Sequence, residues 1–481
     1  MVKLISRIVL LIWATDAMPV AAQTPSHRDP NVVIQPPALT YERFTLTNGL
    51  TVILSPDHTA PLASLHLWYH VGSKNEVPGH TGFAHLFEHM MFEGSLHVAK
   101  GEHFKMIEAA GGQSNAETQQ DVTLYFETFP INDLERVIWL ESDRMGYLLP
   151  ALTQEKLDNQ RDVVKNERRQ SIDNQPYGLA IDIMSAALYP AGHPYSWPVI
   201  GSMADLSAAS LDDVKGFFHQ WYAPNNAVLA IAGDIDVERT KALVTRYFGP
   251  IPGSEPIVRP AVPLVTLSSE KRLVLEDAHA KLPQLVLAWP TVPEDVPDAY
   301  ALSALGQALG FDRTSRLKKV LVHERQLASH VLAANFTQEN AGQFQIIIDP
   351  QPGAALTEIE RVTDSVLAIV RDTLLRPEDI HHAVAFQAIQ FVLRLQSADT
   401  KAQQLAASQT LFGDPLHYQR FIADFQAVTP ADVQRVARQY LTPGRLVLSM
   451  VPAGQVNLIS KPDLPYTNVT PASVPVAKGQ P

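Results

Sequence analysis

Two parts of the chain repeat each other at a fixed distance. Asp213-Val214, Gln220-Trp221 and Pro224 return as Asp432-Val433, Gln439-Tyr440 and Pro443, a spacing of 432 − 213 = 219 residues. Leu62-Ala63-Ser64-Leu65-His66-Leu67 and Leu282-Pro283-Gln284-Leu285-Val286-Leu287 keep nearly the same offset, each at a candidate central strand. Self-similarity at one long period points to a duplicated unit, which must bury the same faces twice. The length agrees, because 481 residues exceed what one hydrophobic core usually supports. The expected fold class is therefore α+β, with two similar domains, each a mostly antiparallel sheet packed with helices.

Local patterning fills in the first unit. From Tyr41 to Val71 apolar and polar residues alternate around Asn48-Gly49, as two strands joined by a hairpin do. Thr81 to Phe92 carries an apolar stripe of Phe83, Leu86, Phe87, Met90 and Met91, which predicts a helix. Gly111-Gly112 punctuates the chain before an alternating run from Ser114 to Thr128, and helical spacing returns at Ile131 to Leu148 and Gln154 to Ser171. Asn226 to Ala232 reads as a buried strand. Prolines at 250, 252, 256, 260 and 263 then mark an interdomain linker. The expected division is a first domain over 23–250, a linker over 251–270, a second domain over 271–455 and a Pro-rich tail over 456–481. That tail reads as an extended arm or as disorder.

The first residues carry a processing signal. Lys3 and Arg7 precede an apolar run from Ile8 to Ala14, and Val20-Ala21-Ala22 ends in small residues, which predicts a signal peptide over residues 1–22. The run is far shorter than the roughly 20 residues that span a bilayer, and no later stretch is longer and as apolar. The mature chain is expected in the bacterial periplasm, with no membrane span after signal removal.

Composition narrows the chemistry. The formal net charge of −12, with no clustering of Lys and Arg, supports no nucleic-acid partner. Cysteine is absent, which removes thiol nucleophiles, disulfides and thiolate metal sites together. Any metal must be held by histidine and carboxylates.

His85-Leu86-Phe87-Glu88-His89 is the sharpest motif. Two imidazoles four residues apart fall on one helix face, one turn apart, where they can share a tetrahedral metal. Glu88 sits roughly 60° round the axis from His85, close enough to address a metal-bound water. Paired His and Glu on a helix also occur as surface hydrogen bonds of about 0.2–0.5 kcal/mol, so the motif alone leaves both readings open. A catalytic zinc needs a third protein ligand and one open position.

Here a family resemblance enters. His85-x-x-Glu88-His89, followed by Glu167 within Val163-Val164-Lys165-Asn166-Glu167-Arg168-Arg169, resembles the inverted-zincin signature of the pitrilysin/insulinase peptidases, which include mitochondrial processing peptidase. In that family a glutamate a little under eighty residues after the second histidine completes the zinc site; here the separation is 167 − 89 = 78. The likeness extends to Thr81-Gly82-Phe83-Ala84, Asn115-Ala116 and Ser315-Arg316-Leu317. It implies one Zn2+ per chain on His85, His89 and Glu167, with Glu88 as general base and then general acid in peptide hydrolysis. It also implies that Asn115 and Ala116 lie on an edge strand where an extended peptide pairs. The chain would form half of a clam-shell.

Two departures bear on function. Where the family often has a supporting acidic residue, this chain has Gln160, which can accept a ligand N–H but brings no charge. Where active members carry an Arg and a Tyr that contact the bound peptide, this chain has Val322 and Ser329. The resemblance is therefore to the zinc-bearing subunit of two-chain members, whose homologous partner supplies the Arg–Tyr pair across a closed chamber. The expected function is a zinc-dependent endopeptidase subunit acting on extended peptides. The alternative is a non-catalytic peptide-binding or assembly-core subunit; the intact His85, Glu88, His89 and Glu167 favour the first, and Gln160 keeps the second in play.

Overall fold

Asn48-Gly49 turns the chain as the sequence predicts, with Gly49 in the left-handed region at φ +92°. The Asn48 amide ties the turn to the carbonyls of Phe248 and Ile251, at 2.8 Å each. The structure is a computed structural model describing residues 35–470; the expected signal peptide and the end of the Pro-rich tail lie outside the described residues.

Six strands build the first sheet: β1 (Glu42–Thr45), β2 (Thr51–Pro56), β3 (Leu62–Tyr69), β4 (Gln113–Thr118), β5 (Thr123–Pro130) and β6 (Ala227–Gly233), in the order β1-β2-β6-β3-β5-β4. All neighbours are antiparallel except β2 and β6. The alternating run 114–128 is in fact a hairpin, β4 and β5, closed by the Gln119 N–H on the Val122 carbonyl at 2.8 Å.

The second sheet repeats this plan. Its strands are β7 (Lys271–Asp277), β8 (Gln284–Thr291), β9 (Ala328–Thr337), β10 (Gly342–Pro350), β11 (Leu446–Pro452) and β12 (Thr467–Val469), in the order β12-β7-β11-β8-β10-β9. The parallel pair β7–β11 stands where β2–β6 stands in the first sheet. The repeated aspartates have a physical cause: each sits third in a helix, Leu211–Trp221 or Pro430–Tyr440, that leads into β6 or β11. Ser210 with Asp213, and Thr429 with Asp432, form reciprocal capping boxes at the two helix starts. The fold is α+β with two similar halves, as expected; they differ at one edge, where β1 runs antiparallel to β2 but β12 runs parallel to β7.

Up to Thr470 the tail lies along the second half as an extended segment, in which Thr467–Val469 adds to the sheet alongside β7 and Lys461 pairs with the buried Glu360 at 2.6 Å.

Both sheets are covered on two faces, which explains why β3 and β6 are apolar almost throughout. One face packs on helices of its own half. The other receives a helix lent by the opposite half: Ala402, Leu405 and Ala406 from the helix Ala398–Phe412 lie against Ile53, Trp68 and Ala230 of the first sheet. In return Ile183, Met184 and Leu188 pack against Val286, Leu446 and Leu448 of the second. Among the described residues, no helix is long and apolar enough to cross a membrane.

Candidate active site

Helix α1 (Phe83–Met90) carries the motif. Its apolar side is buried, with the Phe87 ring 5.4 Å from Phe218 and 5.1 Å from Tyr222. That fixes the helix rotation and turns His85, Glu88 and His89 to the remaining face. The helix starts at Gly82, in the left-handed region at φ +90°, where a Cβ would lie 2.7 Å from the Ile200 carbonyl oxygen. Glycine has no side chain to cap the first turn. Glu76, buried, takes over by accepting from the Gly82 and Ala84 amides at 2.9 and 2.8 Å. Asp205 pins the preceding Thr81 through its amide and hydroxyl, at 3.0 and 2.6 Å.

Three further helices matter here: α2 (Glu102–Ala109), α3 (Leu134–Tyr147) and α4 (Gln154–Arg168). On α4 the residues Gln160, Val164 and Glu167 follow at spacings of four and three, so they share the face that packs on α1. Arg168 anchors the end of α4 to Asp182, at 2.8 Å, in helix α5 (Ala180–Leu188).

The structure brings His85, His89 and Glu167 together. One ligand atom from each lies within 4.8 Å of the others, and the two rings stand at 83° to each other with centroids 4.8 Å apart. His89 Nε2 lies 3.2 Å from one Glu167 oxygen and His85 Nε2 lies 3.8 Å from the other. Burial drives the His85 pKa down to about 4, so this ring is neutral at pH 7 with a free lone pair. Burial also disfavours a charged His89, but the Glu167 carboxylate outweighs it and raises that ring. Glu167 is lowered: burial opposes its charge, and the two rings overcome it.

Glu88 stands beside this group. Burial raises its pKa, and the Thr118 hydroxyl, donating at 2.7 Å, partly offsets the effect. Thr118 ends β4, the edge strand of the first sheet, which also holds Asn115 and Ala116 opposite Phe126 and Tyr125 of β5. Gln160 is buried, and its amide nitrogen donates to Glu93 Oε1 at 2.7 Å. Val322 sits in a π-helical turn, Lys319–Glu324, packed on the second core. Ser329 lies on β9, the edge strand of the second sheet, with its hydroxyl on the Asp349 carbonyl at 3.2 Å.

A second gathering of ligand types, His103, Glu127 and Glu141, lies buried beneath α2 and α3. Arg144 already supplies its positive charge, at 2.5 Å from Glu141 and 3.3 Å from Glu127. Burial drives the His103 pKa down to about 3 and the Glu141 pKa up to about 8. This is a closed polar group of the core with an arginine where a cation would sit.

Sequence reading missed Glu76, Thr118 and Glu93, all of which touch the motif or its supports. The uncapped glycine before α1 signalled that an acceptor was needed, but nothing local said which residue provides it.

Comparison with known proteins gives two successive matches along the chain, the second beginning within the first half. Residues 51–196 match the family described as Insulinase (Peptidase family M16), and residues 208–385 match the one described as Peptidase M16 inactive domain. In the second half, the helix Pro297–Gly310 after β8 occupies the place of α1 and contains neither His nor Glu. Zinc protease PqqE of Helicobacter pylori is 28% identical over 408 residues, covering 83% of this chain and 90% of that protein. The mitochondrial-processing peptidase subunit beta of Blastocladiella emersonii is 24% identical over 413 residues, covering 82% and 85%. The crystal structure of a protease from Helicobacter pylori superposes with a TM-score of 0.80 at 26% identity, over 87% of this chain and 100% of that one. Since residues 51–196 and 208–385 match successive domains of one peptidase family and its likeness to members runs through most of its length, this chain belongs to the pitrilysin/insulinase family, M16.

Proposed function

We propose that the chain is the zinc-bearing subunit of a periplasmic endopeptidase that hydrolyses extended peptides. The observation that carries this reading is the meeting of His85, His89 and Glu167. Neighbouring ligands of a tetrahedral zinc lie about 3.3 Å apart, given bonds of about 2.0–2.1 Å. The Nε2–carboxylate distances of 3.2 and 3.8 Å fit that spacing with little movement. Two imidazoles and one carboxylate are also a donor set that zinc takes in catalytic sites, with a fourth position open.

Zinc bound there supplies Lewis acidity toward a water and a peptide carbonyl. The residues do the rest. Glu88, held by Thr118, accepts the proton of the attacking water on its carboxylate and returns it to the leaving amine. The outer edge of β4, carrying Asn115 and Ala116, offers backbone groups to which an extended peptide can add as a further strand. Val322 and Ser329 bring no cation and no phenol to the second half, which supports a homologous partner providing the Arg–Tyr pair.

The test is hydrolysis of an unstructured peptide by the mature chain, with and without the candidate partner. Activity should rise on adding the partner. Glu88→Gln should retain zinc and lose at least about a hundredfold in turnover. Full activity in Glu88→Gln overturns the role of Glu88, and strong activity in the isolated chain overturns the division of labour. The non-catalytic alternative draws on Gln160, and a preparation that binds no zinc would favour it.

A further inference from the structure

Thr118, which donates to Glu88, is the last residue of β4, and the turn that follows it, residues 119–122, is held from outside the first sheet. The Gln119 and Gln120 carbonyls accept from the Ser73 and Lys74 amides at 3.2 and 2.9 Å. Only glycine at position 72 permits this approach, since a Cβ there would lie 2.3 Å from the Gln119 oxygen. Trp197 steadies the same loop by donating to the Ser73 carbonyl at 2.8 Å. Asp121, 8% exposed, completes the hold. Its Oδ1 accepts from the Tyr195 hydroxyl at 2.6 Å and faces Lys74 Nζ at 2.8 Å, while its Oδ2 accepts from the Glu339 amide at 3.0 Å. Glu339 belongs to the turn between β9 and β10 in the second half, where the adjacent Asn340 amide donates to the same Tyr195 hydroxyl at 3.1 Å. Donors from three separate segments therefore converge on one buried carboxylate, three residues along the chain from Thr118.

We propose that Asp121 is a positioning residue for Glu88: by tying the β4–β5 turn to Glu339 of the second half, it sets where Thr118 stands and so how the Glu88 carboxylate is held. A hydrogen bond of 2.7 Å is lost on a displacement of about 1 Å, so a loosened turn reaches Glu88 directly. The second half, which supplies none of His85, Glu88, His89 and Glu167, thereby takes part in the chemistry of the first. This rests on reading Glu88 as the general base of a zinc peptidase.

The experiment compares Asp121→Asn, Thr118→Val and the double variant, all in the full mature chain, by bound zinc, amide exchange and kcat on an unstructured peptide. Asp121→Asn keeps the shape but turns an NH2 toward a donor. Zinc content should stay at the wild-type level, because His85, His89 and Glu167 sit on α1 and α4. Exchange over residues 113–122, read in the metal-free chain, should quicken about tenfold while that of α1 stays as in wild type. The kcat should fall about tenfold, and Thr118→Val should then add less than about twofold, since both changes act on one carboxylate. Tyr195→Phe removes one donor and keeps the ring; it should give the same pattern in smaller degree and guards against a fold lost in Asp121→Asn. Unchanged exchange over 113–122, or losses in kcat that multiply in the double variant, overturns the positioning role and leaves the zinc site standing. A zinc-loaded wild type that cleaves no peptide, alone or with its partner subunit, overturns the general-base reading itself.

Discussion

Thr118 is the smallest part of the site and can be removed without touching a donor atom. Its hydroxyl donates to Glu88 at 2.7 Å, so Thr118→Val should leave zinc bound and lower kcat by about tenfold, a fraction of the 10²–10⁴ that a general base contributes. An unchanged kcat would show that Glu88 needs no such hold. The contrast between this threonine and the histidines explains what could be read beforehand. His85, Glu88 and His89 share one helix, so spacing alone placed them on one face. Glu167 comes from another helix and entered only through resemblance. Thr118 meets the motif through strand register, which spacing along the chain does not encode.

Among the elements, α1 depends on residues outside itself. Glu76 is the acceptor for two first-turn amides in a buried setting, and Glu76→Leu would leave both without a partner. The expected cost is about 2–6 kcal/mol, at about 1–3 kcal/mol for each of the two buried amides left unpaired, together with weaker zinc binding as the helix start frays. Urea unfolding would measure the first and chelator competition the second; a variant as stable as wild type contradicts the capping role. The duplicated plan was legible because its repeat falls on capping boxes and central strands, which are locally determined. The edge strand within the tail was not, because three residues joining a sheet at β7 leave no periodic trace among prolines. Nor did the sequence disclose that each half lends a helix to the other's sheet, a matter of long-range packing.

At the scale of the whole chain, the turn between β9 and β10 locks the halves together. Glu339 meets Lys74, and His70 at 2.6 Å, while the Asn340 amide donates to Tyr195, whose hydroxyl donates to Asp121 at 2.6 Å. Burial opposes the Glu339 charge, but His70 and Lys74 outweigh it and hold its pKa at about 2, below the ordinary 4.5. The folded state therefore binds this proton less readily than the unfolded one. The contribution, on the order of 3 kcal/mol, is complete above about pH 4.5 and is lost as pH falls toward 2. Glu339→Gln should lower stability at neutral pH by up to that amount and flatten the acid side of the unfolding profile; a profile identical to wild type would contradict the lock. The functional reading of the whole molecule rests on one ion held by α1 and α4 together. Metal content of the purified mature chain, beside that of Glu167→Ala, tests it most directly. One zinc per chain in the wild type and substantial loss in the variant is the expected result, whereas no zinc in the wild type, or equal zinc in both, would contradict it.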